Sequence, residues 1–271
     1  MSWWGKVIGG AFGFAIGGPI GALLGATVGH SFDKGLSGLE GASLGSPEDQ
    51  ERVQAAFFTA TFSIMGHLAK ADGHVTRHEI EVAEQTMARM QLDNAQMRAA
   101  KELFSKGKAA EFDYRGVLIQ LRKECGRRRN LLQMFMEIQL ATALADQDLH
   151  EQEQRLLLEI AELLGFKRYQ FEQLLAMASA QQRFSSHSHY QDQASGAKTH
   201  QQELEDAYNV LGVTPQCSDA ELKRAYRKLI SQHHPDKLVS KGLPEEMMKI
   251  ATEKTREIKE AYEFIKTDRT H

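Results

Sequence analysis

From Val7 to Gly29 the chain runs 23 residues without an Asp, Glu, Lys or Arg. About 20 apolar residues at roughly 1.5 Å each cross a hydrocarbon core of roughly 30 Å, so the stretch predicts one transmembrane helix over residues 7–30, after a short segment 1–6. Gly5, Gly9, Gly13, Gly17, Gly21, Gly25 and Gly29 recur at a strict interval of four. Four residues advance a helix by slightly more than a turn, which lines these glycines along a slowly drifting stripe where a second backbone can approach. Gly9, Gly13, Gly17, Gly21 and Gly25 are therefore expected to pair two copies as a homodimer in the bilayer. Trp3 and Trp4 suit the interface at one end, and His30, Asp33 and Lys34 mark the return to water at the other. Two readings compete: a cleaved signal peptide, whose apolar region is typically about 7–15 residues, and a soluble glycine-rich hairpin. Lys6 and Lys34 flank the stretch on opposite sides, so counting cations does not choose an orientation.

Residues 31–47, rich in Gly and Ser and ending at Pro47, read as a tether. From 48 to 178 the pattern is helical almost throughout. Val53, Ala56, Phe57, Ala60, Phe62, Ile64, Met65 and Leu68 are apolar on more than one face, as a central helix surrounded by others requires. No stretch alternates as a strand, so the expected fold class is all-α. The unit repeats internally, Ala71 to Glu79 aligning with Ala145 to Glu153 and keeping Ala, Asp, an aliphatic residue and Glu in register. The matched acids Asp72, Glu79, Asp146 and Glu153 are the oxygen ligands a hard cation would take. Against that, Thr76 with Glu79 is a capping box, an Asp in a helix-joining turn bonds its own backbone, and neither copy has an EF-hand ligand run. Capping is the preferred reading, because duplication explains the matched positions without a ligand. Arg127, Arg128 and Arg129 form the densest basic run; a solvated helix start with ion pairs is preferred there over a lipid-headgroup site. Residues 179–202 turn to Gln, Ser, His and Ala and are expected to form a disordered linker.

A net charge of −3 argues against wholesale nucleic-acid binding. Cys125 and Cys217 lack CxxC spacing, which fits reduced thiols in the cytosol and offers no zinc site. Without a phosphate-cradling glycine loop after a strand, a nucleophile elbow or zinc-ligand spacing, no enzyme and no cofactor is expected.

The terminal unit, 203–271, centres on Ser218 to Asp236. Leu222, Ala225, Tyr226, Leu229 and Ile230 form an apolar face, interleaved with Lys223, Arg224, Arg227 and Lys228 as a basic one. Ser218 and Glu221 make a capping box. Pro235 lacks an N–H and pushes His234 out of the helical region, so the helix ends in an exposed His234-Pro235-Asp236 corner. A short helix from Leu204 to Leu211 precedes it; a loop over Lys237 to Gly242 and a final helix from Pro244 follow. The two long helices are expected to lie antiparallel, with the corner at the tip.

This order of short helix, AYRKL-type basic helix, HPD and a closing helix reading IKEAYEFI resembles a J domain. The two acidic turns of the middle unit resemble the tellurite-resistance TerB-like domain. Together with the glycine-rich amino terminus, the whole chain resembles the DjlA family of membrane-anchored bacterial co-chaperones. The resemblance implies an amino terminus in the periplasm, the bulk in the cytosol at the inner membrane, and DnaK as partner. It assigns His234, Pro235 and Asp236 to triggering ATP hydrolysis by DnaK, and Lys223, Tyr226, Arg227 and Lys228 to docking it. The glycine/phenylalanine-rich and cysteine-rich zinc regions of full-length DnaJ are missing, which argues against general client holding. The alternative is a membrane-tethered sensor of metal or tellurite stress acting through the middle domain.

Overall fold

The computed structural model describes residues 18–28, 47–71, 77–90, 92–145, 149–188 and 200–270, and among these no residue is in a strand. Helix α1 (Gly18–Val28) is followed by α2 (Pro47–Leu68), which lies at the centre of a bundle completed by α3 (Arg77–Arg89), α4 (Asn94–Gly107), α5 (Tyr114–Cys125), α6 (Arg129–Ala143), α7 (Glu151–Leu163) and α8 (Arg168–Ser188). As expected from apolar residues on more than one face, α2 is buried from Val53 to Met65. Two of its small polar residues bond within their own helix: the Thr61 hydroxyl donates to the Phe57 carbonyl at 2.8 Å and Ser63 to Thr59 at 2.8 Å. Two glycines let α2 and α4 touch backbone to backbone. A Cβ on Gly66 would sit 2.0 Å from the Phe104 carbonyl oxygen, and one on Gly107 1.8 Å from that of Ser63.

Helix α8 runs to Ser188, past the boundary expected at 178. Residues 179–188 are therefore helix where a disordered linker was expected. Ala180 is fully buried, Arg183 donates to Asp206 at 2.8 Å and Ser185 to Glu257 at 3.2 Å, so the extension is held by the terminal unit. Ala and Gln are good helix formers, and tertiary partners supplied what the low aliphatic content did not. Residues 189–199 lie outside the described residues.

The terminal unit consists of α9 (His200–Val210), α10 (Asp219–His233), α11 (Pro235–Val239), a 3-10 turn (Glu245–Met247) and α12 (Met248–Thr270). Leu204, Ala207, Tyr208, Leu222, Leu229, Ile258, Ala261 and Ile265 form its core. Two details differ from the sequence reading. Pro235 opens the five-residue helix α11 at once, since a proline at N1 has no N–H to lose, so the expected loop is shorter. Pro244 begins the 3-10 turn, and α12 starts at Met248.

The tip of this unit is not free. Leu238, Leu243, Met247 and Ala251 are fully buried in the same cluster as the middle bundle. Gln50 donates to the Val239 carbonyl at 3.1 Å and Asn130 to that of Gln232 at 3.3 Å. Arg89 meets Glu253 at 2.6 Å, and Gln96 donates to Glu246. Gly242, at φ +105, lies where a Cβ would come within 2.7 Å of Val53 Cγ1. The segment just after the HPD corner is thus seated on the bundle.

At the amino terminus, α1 also rests on the bundle: Ile20 is fully buried, and its N–H donates to Gln120 Oε1 at 2.9 Å. Among the described residues no helix is long and apolar enough to cross a membrane. Helix α1 covers 11 residues of the uncharged stretch; Gly9, Gly13, Gly17 and the flanking tryptophans lie outside the described residues.

Candidate functional site

Helix α10 begins as its sequence demands. The Ser218 N–H donates to Glu221 Oε2 at 2.8 Å, and the Glu221 N–H returns to Ser218 Oγ at 3.3 Å. These bonds, from the Ser218 backbone first and its hydroxyl second, hold the Glu221 carboxyl below the usual range. Leu222 and Leu229 point into the core, and Tyr226 stacks on Tyr262 with centroids 4.2 Å apart. Tyr226 is therefore half committed to internal packing. Lys223, Arg224, Arg227 and Lys228 are exposed, and among the described residues Lys223, Arg227 and Lys228 enter no ion pair.

His234 leaves the helix at φ −59 and ψ 123, the extended geometry forced on a residue before proline. Its side chain is 44% exposed and that of Asp236 86%, with 4.0 Å between Nδ1 and Oδ2, too far for a hydrogen bond. The corner therefore presents an unspent carboxylate beside an imidazole, at the end of a cationic face. Lys237 donates to Ser231 at 2.8 Å and braces the turn.

Its neighbour His233 was not singled out by the sequence. Only 2% of its side chain is exposed. Nδ1 lies 2.8 Å from the Leu229 carbonyl, and Nε2 lies 2.9 Å from both oxygens of Glu137 on α6. The ring thus bridges the Leu229 carbonyl and the Glu137 carboxylate, one at each nitrogen. Glu137 also accepts from Gln133 at 2.9 Å and has Lys254 Nζ at 3.8 Å. Burial pushes the Glu137 carboxyl up, but His233 and Lys254 together outweigh it and leave it at about 2. The sequence carried one signal, Glu137 as the single charged residue within LLQMFMEIQL, and no pattern could name its partner 96 positions away.

Of the four acids matched by the repeat, Glu153 is described. It is buried at the third position of α7 and accepts the His150 N–H at 3.0 Å, as a capping residue does. Asp72, Asp146 and the Glu79 side chain lie outside the described residues, and among those described no three His, Cys, Asp or Glu gather as metal ligands. In the arginine run, Arg128 pairs with Asp49, Arg129 donates to the Gly165 carbonyl at 3.1 Å, and Arg127 is exposed.

Comparison with known proteins divides the chain along the same lines. Residues 1–39 match the model of the co-chaperone DjlA transmembrane domain, 58–176 that of the tellurite resistance protein TerB, and 206–271 that of the DnaJ domain. The chain is 46% identical over 275 residues to the co-chaperone protein DjlA of Photobacterium profundum, covering 98% of this chain and 99% of that protein. It is 44% identical to the protein of that name from Escherichia coli K12, covering 98% of both chains. For that of Haemophilus influenzae the identity is 41%, again covering 98% of both. No solved structure matches.

Proposed function

The chain belongs to the DjlA family of co-chaperones, and from that premise we propose that it stimulates ATP hydrolysis by a DnaK-type chaperone and brings that chaperone to clients at the inner membrane. The observation that carries the reading is the exposed face of α10. Three cations that form no ion pair among the described residues, Lys223, Arg227 and Lys228, lead to a solvent-facing Asp236 held at a proline stop. Such a face draws in an acidic surface, with an association rate that falls as salt rises. Asp236 then makes a charge-assisted contact that favours the partner's hydrolysis-competent state, and all bond chemistry stays with the partner. Residues 1–39 anchor the chain, with the amino terminus periplasmic and the two helical domains in the cytosol.

The test is single-turnover ATP hydrolysis by DnaK with the full chain in nanodiscs, beside its His234→Gln variant. Stimulation that is lost in the variant and weakens with salt supports the reading. Equal rates with both proteins, or no stimulation by either, would remove it. The metal or tellurite sensor has no comparable observation behind it, because Glu153 is occupied in capping α7.

A further inference from the structure

A second concentration of positive charge lies on the middle bundle. Between Arg115 and Arg129 six residues are Lys or Arg and one, Glu124, is acidic, in a chain of net charge −3. Glu124 is buried against Arg52 at 2.8 Å and does not neutralise the surface. Helix α5 buries Val117, Leu118, Leu121 and Cys125 and turns Arg115, Arg122 and Lys123 outward around Ile119, which is 57% exposed. Arg122 reaches the Leu163 carbonyl at 3.2 Å and Arg129 that of Gly165 at 3.1 Å, so both crowd the α7–α8 turn without meeting a carboxylate. Lys167 and the 61% exposed Tyr169 continue the patch. Among the described residues Arg122, Lys123, Arg127, Arg129 and Lys167 form no ion pair, whereas Arg115 is paired with Glu159 and Arg168 with Glu172. Helix α1, the described part of the anchor domain, packs beside this face through Ile20 and Gln120.

We propose that this face of α5 and the α7–α8 turn lies on the anionic cytosolic leaflet, its cations on headgroup phosphates and Ile119 and Tyr169 at the interface. Three observations select lipid as the occupant. Anchoring through residues 1–39 tethers the bundle within reach of the bilayer surface. Among the described residues Arg122, Lys123, Arg127, Arg129 and Lys167 meet no carboxylate, so at these five a phosphate layer would not compete with existing pairs. An exposed aliphatic and an exposed tyrosine stand among the cations, the mixture that settles at headgroup depth. The inference rests on anchoring by residues 1–39, and incorporation into nanodiscs reads that part separately.

The experiment places an environment-sensitive fluorophore at Ile119→Cys in a Cys217→Ser background. Cys125 stays unlabelled, because burial pushes its thiol up to about 12. Full-length protein is compared in phosphatidylcholine nanodiscs and in discs containing phosphatidylglycerol. Emission should shift to the blue in the anionic discs and return at high salt. Lys123→Gln, Arg127→Gln and Lys167→Gln together should lower the ratio of docked to free domain about a hundredfold, at about fivefold per cation, with melting and DnaK stimulation unchanged. Equal emission in both discs, or a blue shift that survives the triple variant, would overturn the proposal. So would a shift that requires soluble polyglutamate instead of anionic lipid, which would mark the face as a protein site.

Discussion

Glu137→Gln tests the seam between the two domains most directly, because it removes the carboxylate shared by His233 and Lys254 while keeping its shape and the bond to Gln133. The Glu137 carboxyl lies at about 2 against an ordinary 4.5. At about 1.4 kcal/mol per unit, that difference is worth about 3 kcal/mol to the folded state, in line with the roughly 3–5 kcal/mol lost on breaking a buried ion pair. Because the folded-state value is depressed, the contribution is complete above pH 4.5 and fades as pH falls toward 2. The variant should therefore be about 3 kcal/mol less stable at neutral pH, with the gap closing in acid. Hydrogen exchange of Leu238 to Met247 reads the seam locally, and urea unfolding followed by circular dichroism reads the whole. His233→Gln should not add to Glu137→Gln in a double-mutant cycle, since either change breaks the same contact. Replacing both with Leu should restore most of the loss. A cost below about 1 kcal/mol, a gap that persists in acid, or simple additivity would refute the account of a buried Glu137 carboxylate held by His233 and Lys254.

Gly107→Ala would place a methyl 1.8 Å from the Ser63 carbonyl oxygen, so α2 and α4 must part. Overpacking of about 1–3 kcal/mol exceeds the helix-propensity gain of about 1, and the melting temperature should fall; an unchanged or raised value would count against the close crossing. Gly9→Leu with Gly13→Leu should abolish crosslinking between copies in membranes, and crosslinks of undiminished yield would end the glycine-stripe account of dimerisation.

The geometry of α10 and its HPD corner was legible because it is local. A capping box, an amphipathic repeat and a proline stop are all written within Ser218 to Asp236, and the geometry of each follows from neighbours four residues away or fewer. The central helix was legible for the same reason: residues apolar on more than one face call for burial among other helices. What escaped is non-local. The helical continuation through 179–188 depends on Asp206 and Glu257, and the seating of Leu238 and Met247 on the bundle depends on a surface assembled from α2, α3, α4 and α6. Periodicity reports which face of a helix is apolar but not which neighbour covers it. The stretch after the HPD corner therefore read as a loop when it is in fact an interface.

That interface bears on how a partner meets the J domain. Arg129 and Asn130 open α6; the first reaches the basic face at Gly165, and the second holds the Gln232 carbonyl two residues before His234. Two turns further along, Glu137 holds His233. At about 1.5 Å per residue, roughly 12 Å of one helix joins the edge of the basic patch to both polar contacts on the segment that ends in HPD. A rigid helix of that length fixes the angle between the two faces. Docking leaves Lys223, Arg227, Lys228 and Asp236 facing solvent, so it does not hide the charged groups that an acidic partner would seek. Its effect is directional: a partner that docked on α10 would have to approach from the side the bundle leaves open, and a surface that held the basic face would set the orientation of that side.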